Sequence, residues 1–410
     1  MSLHGRTILL GSTRWPPEVR SGVETMGVGL ARALARAGWR VVVITSGADD
    51  GVSVDMYGVE VIRFHDTFRN PPHWMLGSPL RFLHGRRIIR NGENPAGVIC
   101  SAPQYVPWAR VAYPAAPVVF ICHGMSAVDR LFSQPDQNQS QRMRCQMGIA
   151  AYLRDAQETL AYRLAHRTVA LSQGMRQQLT RFSRVGVARI VQIPNGIDAQ
   201  RIADRPARTL GGDLRVLYLG RLSRPKNVAY LLRALSALGL GTEWTCRLVG
   251  DGDQRAELQG CVSRLGMVDR VRFDGWVQDP REALLWANVF VLPSLWEGCS
   301  MAMLEAMAWG LPCIGLKYDG HSFQCDSSQM ITNGENGFLV DGKSPACLGR
   351  ALGLLADNPA LRAEMGQQSR RRVLRDFDWS HVAEMYSRLI ESLRDRSLTC
   401  PHNQGLGRSD

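Results

Sequence analysis

Short apolar runs rich in β-branched residues alternate with segments of helical periodicity along the first half of the chain. Such runs predict buried strands, and the residues between them are numerous enough for helices. One amphipathic helix is predicted near residues 23–37 and is closed by Gly38. This alternation is typical of a parallel sheet covered by helices. The strands predicted in this half are 7–11, 40–45, 58–64, 96–101, 117–124 and 167–172.

The same rhythm restarts after the segment IVQIPNGID at 190–198, with strands predicted at 215–222, 245–252, 270–277, 288–294 and 312–316. A chain of 410 residues is too long for one ordinary hydrophobic core, and its 45% hydrophobic residues can fill two. We therefore predict an α/β fold of two tandem doubly wound Rossmann-like domains that face a cleft. The predicted units are a first Rossmann-like domain at 1–195, a second at 196–378, a helix at 379–394 that packs on a domain, and a disordered tail at 395–410.

Two glutamates stand eight positions apart in PSLWEGCSMAMLEAMAWGLPCIG, at 293–315. A helix is predicted from near Ser300 to Gly310, so Glu297 should lie in the turn before it and Glu305 about a turn and a half inside it. A carboxylate can accept two hydrogen bonds at once, which suits paired sugar hydroxyls. Free amides at the helix start also favour phosphate or sugar oxygens. The alternative is that Glu297 complements the helix dipole and Glu305 is solvated.

Two cations follow a predicted strand in LYLGRLSRPKN, at 217–227. Arg221 and Lys226 could hold a diphosphate at the carboxyl end of that strand, although surface cations are also common there. In the first half, Gly22 stands where the first helix begins, so its backbone could approach a phosphate closely. His123 ends the apolar run PVVFICHG and should face the cleft, or it could be structural.

Metal sites and disulfides are not expected. The ten cysteines include no Cys-x-x-Cys pair, so we interpret them as reduced, small apolar groups. Asp251-Gly-Asp253 resembles an Asp-x-Asp metal motif, but it begins a predicted helix and is better interpreted as a cap. The sequence predicts neither a metal nor a cofactor.

The net charge of +12 is concentrated in residues 1–195, which contain 23 arginines and no lysine against 12 acidic residues. This asymmetry suggests an anionic partner or membrane surface at the amino-terminal half, or simply a solvated arginine-rich surface. The segment LRFLHGRRIIR at 80–90 could be a membrane-surface helix or a plain domain helix. No long apolar run or signal peptide is apparent, and no nucleic-acid module. We expect a cytoplasmic protein that could contact the inner membrane face, and no nucleic-acid partner.

Several of these motifs occur together in one known family. The chain carries IPNGID, LYLGRLSRPKN, RLVGDGD, RFDGWV, PSLWEGCSMAMLEAMAWGLPCI and NGENGFLV. This set resembles glycosyltransferase family four, which comprises retaining sugar transferases of GT-B architecture. The resemblance covers nearly the whole chain, densely from 190 to 342.

The resemblance implies that residues 1–195 form an acceptor-binding domain and residues 196–378 a nucleotide-sugar-binding domain. It also implies a role for each candidate residue. Glu297 would face the transferred sugar, and Glu305 would hold the ribose hydroxyls. Arg221 and Lys226 would hold the diphosphate. The remaining contacts implied are the backbone around Trp276 with the base, the amides of Ser300 and Met301 with sugar hydroxyls, and Gly22 and His123 closing the donor site from the first domain.

Two positions depart from the family pattern. Ser21-Gly22 stands where the family often has Gly-Gly, and Cys299-Ser300 stands where an aromatic or other residue with Gly or Pro is common. Because both lie near the donor sugar, the identity of the hexose stays open.

We therefore predict a retaining, metal-independent hexosyltransferase that uses a nucleotide-diphosphate sugar, most simply UDP-linked. Its acceptor would be a hydroxyl of a glycan, a lipid-linked sugar or a small metabolite. One alternative is a nucleotide-sugar 2-epimerase or hydrolase of the same architecture. Another is a catalytically silent sugar-nucleotide sensor or a nucleic-acid-binding protein, although the intact acids and cations argue against a silent site.

Overall fold

The computed structural model describes residues 6–17, 21–47, 50–65, 94–125, 141–183, 185–198, 212–238, 241, 243–318, 324–325 and 327–399. The arginine-rich segment at 80–90 lies outside these ranges, as do residues 400–410. The described residues form two large sheets with helices on their faces, which confirms the predicted class of two Rossmann-like α/β layers.

Eight strands form the first sheet in the order β3-β4-β2-β1-β5-β6-β7-β8. Every neighbouring pair is parallel except the edge strand β3, which runs antiparallel to β4. The six predicted strands are all present. The strands are β1 Thr7–Arg14, β2 Arg40–Gly47, β3 Gly51–Val54, β4 Glu60–His65, β5 Gly97–Cys100, β6 Val118–Cys122, β7 Arg167–Ala170 and β8 Ile190–Gln192.

The second sheet has six strands in the order β11-β10-β9-β12-β14-β16, and all of its pairs are parallel. Its five predicted strands are present, and β16 lies in the NGENGFLV segment. The strands are β9 Leu214–Leu219, β10 Trp244–Val249, β11 Val271–Gly275, β12 Val289–Leu292, β14 Cys313–Leu316 and β16 Gly337–Val340. A separate two-stranded pair consists of β13 Trp296–Glu297 and β15 Gln324–Cys325.

The helices pack on these sheets through their apolar faces. In α1, Ser21 and Glu24 form a capping box at the start, and the helix buries Met26, Leu30 and Leu34 on one side. The helices of the first half are α1 Gly22–Arg36, α2 Tyr105–Ala112, α3 Gln141–Leu164 and α4 Gln173–Phe182. Those that follow are α5 Val228–Ser236, α6 Arg255–Arg264, α7 Arg281–Trp286, α8 Met301–Ala308, α9 Pro345–Asp357, α10 Pro359–Asp376 and α11 Trp379–Thr399.

The chain crosses from the first sheet to the second in the segment that follows β8, which we call the first passage. It returns to the first half just before α11, in the second passage, and the two passages lie side by side. The Ile197 N–H donates to the Phe377 carbonyl at 2.8 Å, and the Trp379 N–H donates to the Ile197 carbonyl at 3.2 Å. The ring of Trp379 packs directly on the backbone of the first passage, because a Cβ on Gly196 would lie 2.5 Å from its Cε3. These contacts hold the first passage in place between the two sheets.

The last helix returns to the first half and packs against α1. The Trp39 indole N–H donates to Ser387 Oγ at 2.8 Å across this interface. The helix extends to Thr399, so the prediction that residues 395–399 belong to a disordered tail is wrong. The amphipathic pattern weakens after Leu393, which is why the helix end was placed too early.

Cysteines are free at 100, 122, 246, 261, 299, 313 and 347, and all of these except Cys261 and Cys347 are buried, as expected for small apolar groups. Within that part, no three or more His, Cys, Asp or Glu side chains are grouped so that they could hold a metal ion. None of the described helices is both long enough and apolar enough to cross a membrane.

Candidate active site

A cavity of about 670 Å³ lies where the carboxyl ends of strands from the two sheets face each other, and we call it the central cleft. Its walls come from both halves of the chain. The first half contributes residues 21–23, 123–124, 171 and 195, and the second contributes residues at and after the ends of β9, β10, β11 and β12. A cleft at this edge of a doubly wound sheet is the usual position of a ligand.

Two helices begin at the central cleft, and their first residues line it. Ser21 caps α1 by accepting the Glu24 N–H, and Ser300 caps α8 by accepting the Met303 N–H. A Cβ on Gly22 would lie only 3.6 Å from Met301 Cγ, so the two helix starts are in van der Waals reach. Both starts carry partial positive charge and free N–H groups, which together favour an anion between them.

The two predicted cations lie in the same cleft. The Tyr218 hydroxyl donates to the Arg221 carbonyl at 2.7 Å and fixes the backbone there. Lys226 ends a 3₁₀ turn that spans Arg224–Lys226, and Asn227 follows it in the left-handed conformation, with φ of 53°. Arg221 is exposed to the cleft and has no carboxylate partner among the described residues. It is therefore available to an anionic ligand.

Lys226 and Glu297 form an ion pair, with 2.6 Å between Nζ and Oε1. Their side chains are 23% and 15% exposed, so the pair is largely shielded from water. The sequence had assigned these residues to different parts of a donor, but not to each other. The pair places a carboxylate and an ammonium side by side in the wall of the central cleft.

The segment that carries Glu297 is packed against the first half. A Cβ on Gly124 would lie 3.0 Å from Trp296 Cη2, and a Cβ on Gly298 would lie 2.6 Å from Met175 Cε. Neither glycine leaves room for a side chain without displacing its neighbour. Glu297 is thus held in the cleft by contacts from both halves.

His123 lies where β6 ends and lines the central cleft. Its Nε2 is buried and has no hydrogen-bond partner among the described residues. Burial lowers the pKa of His123 from 6.5 to about 4, so the imidazole is neutral at pH 7. A neutral ring nitrogen at this place can exchange a hydrogen bond with a hydroxyl group.

Glu305 does not line the central cleft but a neighbouring cavity of about 930 Å³, and Met301 lines both. Glu305 follows Met301 by about one helical turn, which places it roughly 5 Å further along α8. Burial, with a smaller contribution from the charge of Asp279, raises the pKa of Glu305 to about 7. The structure therefore groups Arg221, Lys226 and Glu297, and it separates Glu305 from them.

The remaining candidates have distinct positions. Trp276 lines the central cleft with 61% of its surface exposed. Cys299 is buried in the cleft wall, 5% exposed. The capping role predicted for the Asp251-Gly-Asp253 motif is wrong, because α6 begins later and Asp251 instead pairs with Arg255 at 3.1 Å.

Two family descriptions match this chain. "Glycosyltransferase Family 4" matches residues 20–201, and "Glycosyl transferases group 1" matches residues 213–358, so the two halves are both covered. The chain belongs to glycosyltransferase family four. The transferase is also similar to individual proteins over most of its length. It is 27% identical over 401 residues to a glycogen synthase of Mycobacterium tuberculosis, and the match covers 92% of each chain.

Solved structures have the same GT-B fold as the transferase. A sucrose-phosphate synthase from Thermosynechococcus elongatus superposes with a TM-score of 0.75 at 21% identity, covering 95% of this chain and all of that one. The Anabaena protein HepE, solved in complex with UDP and glucose, superposes with a TM-score of 0.69 at 17% identity, covering 94% and 100% of the two chains. At these identities the likeness shows the fold.

Sequence reasoning missed two cleft residues of the transferase. Trp296 lies against Gly124, and Asn195 donates a hydrogen bond from Nδ2 to the Cys299 carbonyl at 2.7 Å. Asn195 stands in the IPNGID segment, which the sequence analysis interprets as a domain boundary and a family motif, without a role for the asparagine. Its polar side chain between Pro194 and Gly196, in a passage next to the predicted cleft, is the signal that could have identified it.

Proposed function

We propose that the enzyme transfers a hexosyl or N-acetylhexosaminyl group from a UDP-linked sugar to an acceptor hydroxyl, with retention at the anomeric carbon. The observation that carries this proposal is the convergence of Arg221, Lys226 and two helix starts beside the carboxylate of Glu297. Cations and N–H groups suit a diphosphate, and a carboxylate suits sugar hydroxyls. The UDP in the HepE structure of the same fold supports the choice of nucleotide.

In the proposed arrangement the central cleft has two subsites. The diphosphate subsite would be formed by Gly22, Arg221, Lys226 and Met301, which all line the cleft. The sugar subsite would lie next to Glu297, which pairs with Lys226. Trp276, at the rim, would stand beside the base, and Glu305 would reach the ribose hydroxyls from the adjoining cavity, one turn along α8.

In the proposed reaction the bond between the anomeric carbon and the diphosphate oxygen breaks, and its electron pair stays with the diphosphate. Arg221, Lys226 and the helix-start amides stabilise that developing charge. The acceptor hydroxyl attacks the same face of the sugar and passes its proton to a departing phosphate oxygen. Glu297 positions Lys226 through their ion pair and orients the sugar. The step uses neither a metal ion nor a protein nucleophile.

A donor panel tests the proposal. The purified protein would be incubated with UDP-glucose, UDP-galactose, UDP-N-acetylglucosamine or GDP-mannose, together with an extract of the host cells, and the products identified by mass spectrometry. We expect one UDP-sugar to add one glycosyl unit to an acceptor. NMR of the product should show the same anomeric configuration as the donor, and the rate should be unchanged in EDTA. Failure to bind UDP and to consume any donor would refute the proposal.

The 2-epimerase or hydrolase alternative makes a different prediction, since it would consume the donor at the full rate without any acceptor. Membership in the transferase family favours transfer. The acceptor class remains a glycan, a lipid-linked sugar or a small metabolite. A contact between the basic amino-terminal half and a membrane also stays a prediction, based on the charge asymmetry of the sequence.

A further inference from the structure

Three basic side chains meet at the edge of the first sheet that lies away from the central cleft. Arg110 comes from α2, His166 directly precedes β7, and Arg189 ends the short turn before β8. We call these three residues the arginine–histidine cluster. Strand β6 begins beside the cluster, at Val118, and ends next to His123 in the cleft. Its five residues, at about 3.3 Å each, separate the cluster from the cleft by roughly 15 Å.

The ring of His166 has a fixed tautomer. The Val118 N–H donates to Nδ1 at 2.8 Å, so Nδ1 is an acceptor. Burial, followed by the charge of Arg110 and of other nearby arginines, lowers the pKa of His166 below 6.5, so the ring is neutral at pH 7. A neutral imidazole carries a hydrogen on only one of its nitrogens. That nitrogen must be Nε2, which is therefore a donor.

The Nε2–H of His166 faces a second donor. Nε2 lies 3.1 Å from Nη1 of Arg110, and a guanidinium offers only N–H groups. Two donors at hydrogen-bond distance cannot satisfy each other, so both require an acceptor that the described part of the chain does not supply. One negatively charged oxygen placed between them would accept from both sides.

Arg40 shows how a protein group satisfies an arginine at this same edge of the sheet. It begins β2, and its Nε and Nη2 donate to the two carboxylate oxygens of Glu60 at 2.7 and 3.0 Å. In the cluster, by contrast, neither Arg110 nor Arg189 forms an ion pair with a carboxylate of the described residues. The positive charge gathered there is thus not offset by a described acidic side chain.

A structural role explains only part of the cluster. Nη2 of Arg189 donates to the Arg163 carbonyl at 2.8 Å and also to the Ala165 carbonyl, so it holds the end of α3. These bonds use one nitrogen of a group that has five N–H donors. They also give no reason for the facing donors of Arg110 and His166. Like charges held close together repel each other, and an anion would offset that repulsion.

We propose that Arg110, His166 and Arg189 together bind a phosphate group. A tetrahedral oxyanion carries negative charge and presents acceptor oxygens in several directions, which matches donors on three side chains. The inference does not rest on the proposed function, because no residue of the central cleft takes part.

The phosphate group could belong to a soluble phosphate ester or to the headgroup of a phospholipid. Val111 adjoins Arg110 and is 61% exposed, and Val187 stands two residues before Arg189 and is 50% exposed. A lipid would bring its apolar chains towards these valines, whereas a soluble ester would leave them in water. The two sources share the same chemistry at the cluster, and the experiment separates them.

The test compares wild type with Arg110→Gln and His166→Asn. Arg110→Gln removes a charge, whereas His166→Asn keeps an acceptor for the Val118 N–H and removes the Nε2 donor. The matched control is Arg233→Gln, which also removes one positive charge. Arg233 is exposed in α5, in the second half of the chain, and has no carboxylate partner among the described residues.

Inorganic phosphate is the first probe, at constant ionic strength with chloride as the replaced anion. Its binding would be followed by NMR of the His166 ring, whose signals are identified by their loss in His166→Asn. We expect phosphate to shift these signals and to raise the pKa of His166, because a bound anion favours the charged ring. In Arg110→Gln the half-saturating phosphate concentration should rise roughly tenfold or more, as for loss of one charge-assisted bond. Arg233→Gln should match wild type.

Vesicles are the second probe and identify the source of the phosphate. Sedimentation would be compared for vesicles of phosphatidylglycerol mixed with phosphatidylcholine and for vesicles of phosphatidylcholine alone. A lipid source predicts binding to the anionic vesicles that Arg110→Gln weakens several-fold more than Arg233→Gln does. A phosphate shift at His166 without vesicle binding supports the same site with a soluble ester as its ligand.

Two outcomes would overturn the inference. One is a wild type whose His166 signals and pKa do not respond to phosphate and which does not sediment with anionic vesicles. The other is binding that Arg110→Gln and Arg233→Gln weaken equally, which would show general attraction by the positive charge. If Arg110→Gln does not fold, the pKa of His166 in wild type decides, since equal values in chloride and in phosphate would refute the site. Each of these results leaves the proposed function standing.

Discussion

Replacement of Lys226 by alanine tests how the site stabilises its leaving group. In the structure the Lys226 ammonium is held 2.6 Å from Glu297, and Lys226 lines the central cleft. A cation about 3–4 Å from a unit charge interacts by about 4–6 kcal/mol at an effective dielectric constant of about 20. If about half a charge develops on the diphosphate in the transition state, loss of Lys226 removes about 2–3 kcal/mol. That corresponds to a fall in kcat of roughly 30- to 160-fold.

The substitution also leaves Glu297 without its cation. An unpaired, largely shielded carboxylate next to the diphosphate repels it, which should weaken donor binding as well as slow the reaction. The double variant Lys226→Ala/Glu297→Gln removes this repulsion. We therefore expect its donor KM to be closer to wild type than that of Lys226→Ala, while its kcat stays low.

The assay is release of UDP at saturating donor, with kcat and KM reported separately. Lys343→Ala is the matched control, because Lys343 is also a lysine but is exposed and does not line the central cleft. We expect that control to match wild type. A Lys226→Ala protein with kcat within twofold of wild type would refute the assignment of Lys226 to the leaving group.

Two further predictions concern packing and pH. Gly29→Ala should destabilise the protein by about 1–3 kcal/mol, because a Cβ there would overlap the Trp379 ring. Gly353→Ala, in open space in another helix, should be neutral or stabilising, and urea unfolding of both variants measures the change in the free energy of unfolding. Because the pKa of Glu305 is raised to about 7, wild type should bind UDP more tightly as the pH rises from 6 to 8, and calorimetry of Glu305→Gln should show less of this change. The same raised pKa means that wild type loses stability as the pH rises from about 4.5 to 7, a loss that Glu305→Gln should not show; equal pH profiles for the two proteins would contradict the assignment.

The sequence predicted most of the fold because its signals are local. Apolar β-branched runs marked the strands, and the start of α1 at Gly22 follows from the capping residue Ser21. The edge strand β3 was not predicted, because the GVSV segment at 51–54 is exposed throughout and too short to show a clear alternation. Strand β13 was not predicted either, because it has only two residues.

The candidate site was predicted less completely, because its geometry depends on the passages between the two halves. Arg221, Lys226 and Glu297 do share one cleft. Spacing along the chain could not show that Lys226 and Glu297 pair with each other, or that Glu305 faces a different cavity one turn along α8. The first depends on how the segment that carries Glu297 packs against the first half, and the second depends on how α8 is oriented.

Asn195 shows the same limit. Its place in the cleft wall depends on a hydrogen bond to a carbonyl 104 residues later. That contact cannot be inferred from IPNGID alone. The segment could be recognised as a boundary, but its contribution to the cleft appears only when both halves are placed together.

The account depends most directly on the binding of a diphosphate in the central cleft. Calorimetric titration of UDP into wild type and into the double variant Arg221→Ala/Lys226→Ala, at the same ionic strength, measures the affinity for UDP. We predict that wild type binds UDP and that the double variant binds it at least tenfold more weakly, since two charge-assisted contacts of about 1.5–3 kcal/mol each are lost. Equal UDP affinity of the two folded proteins, or no UDP binding by wild type, would contradict the account.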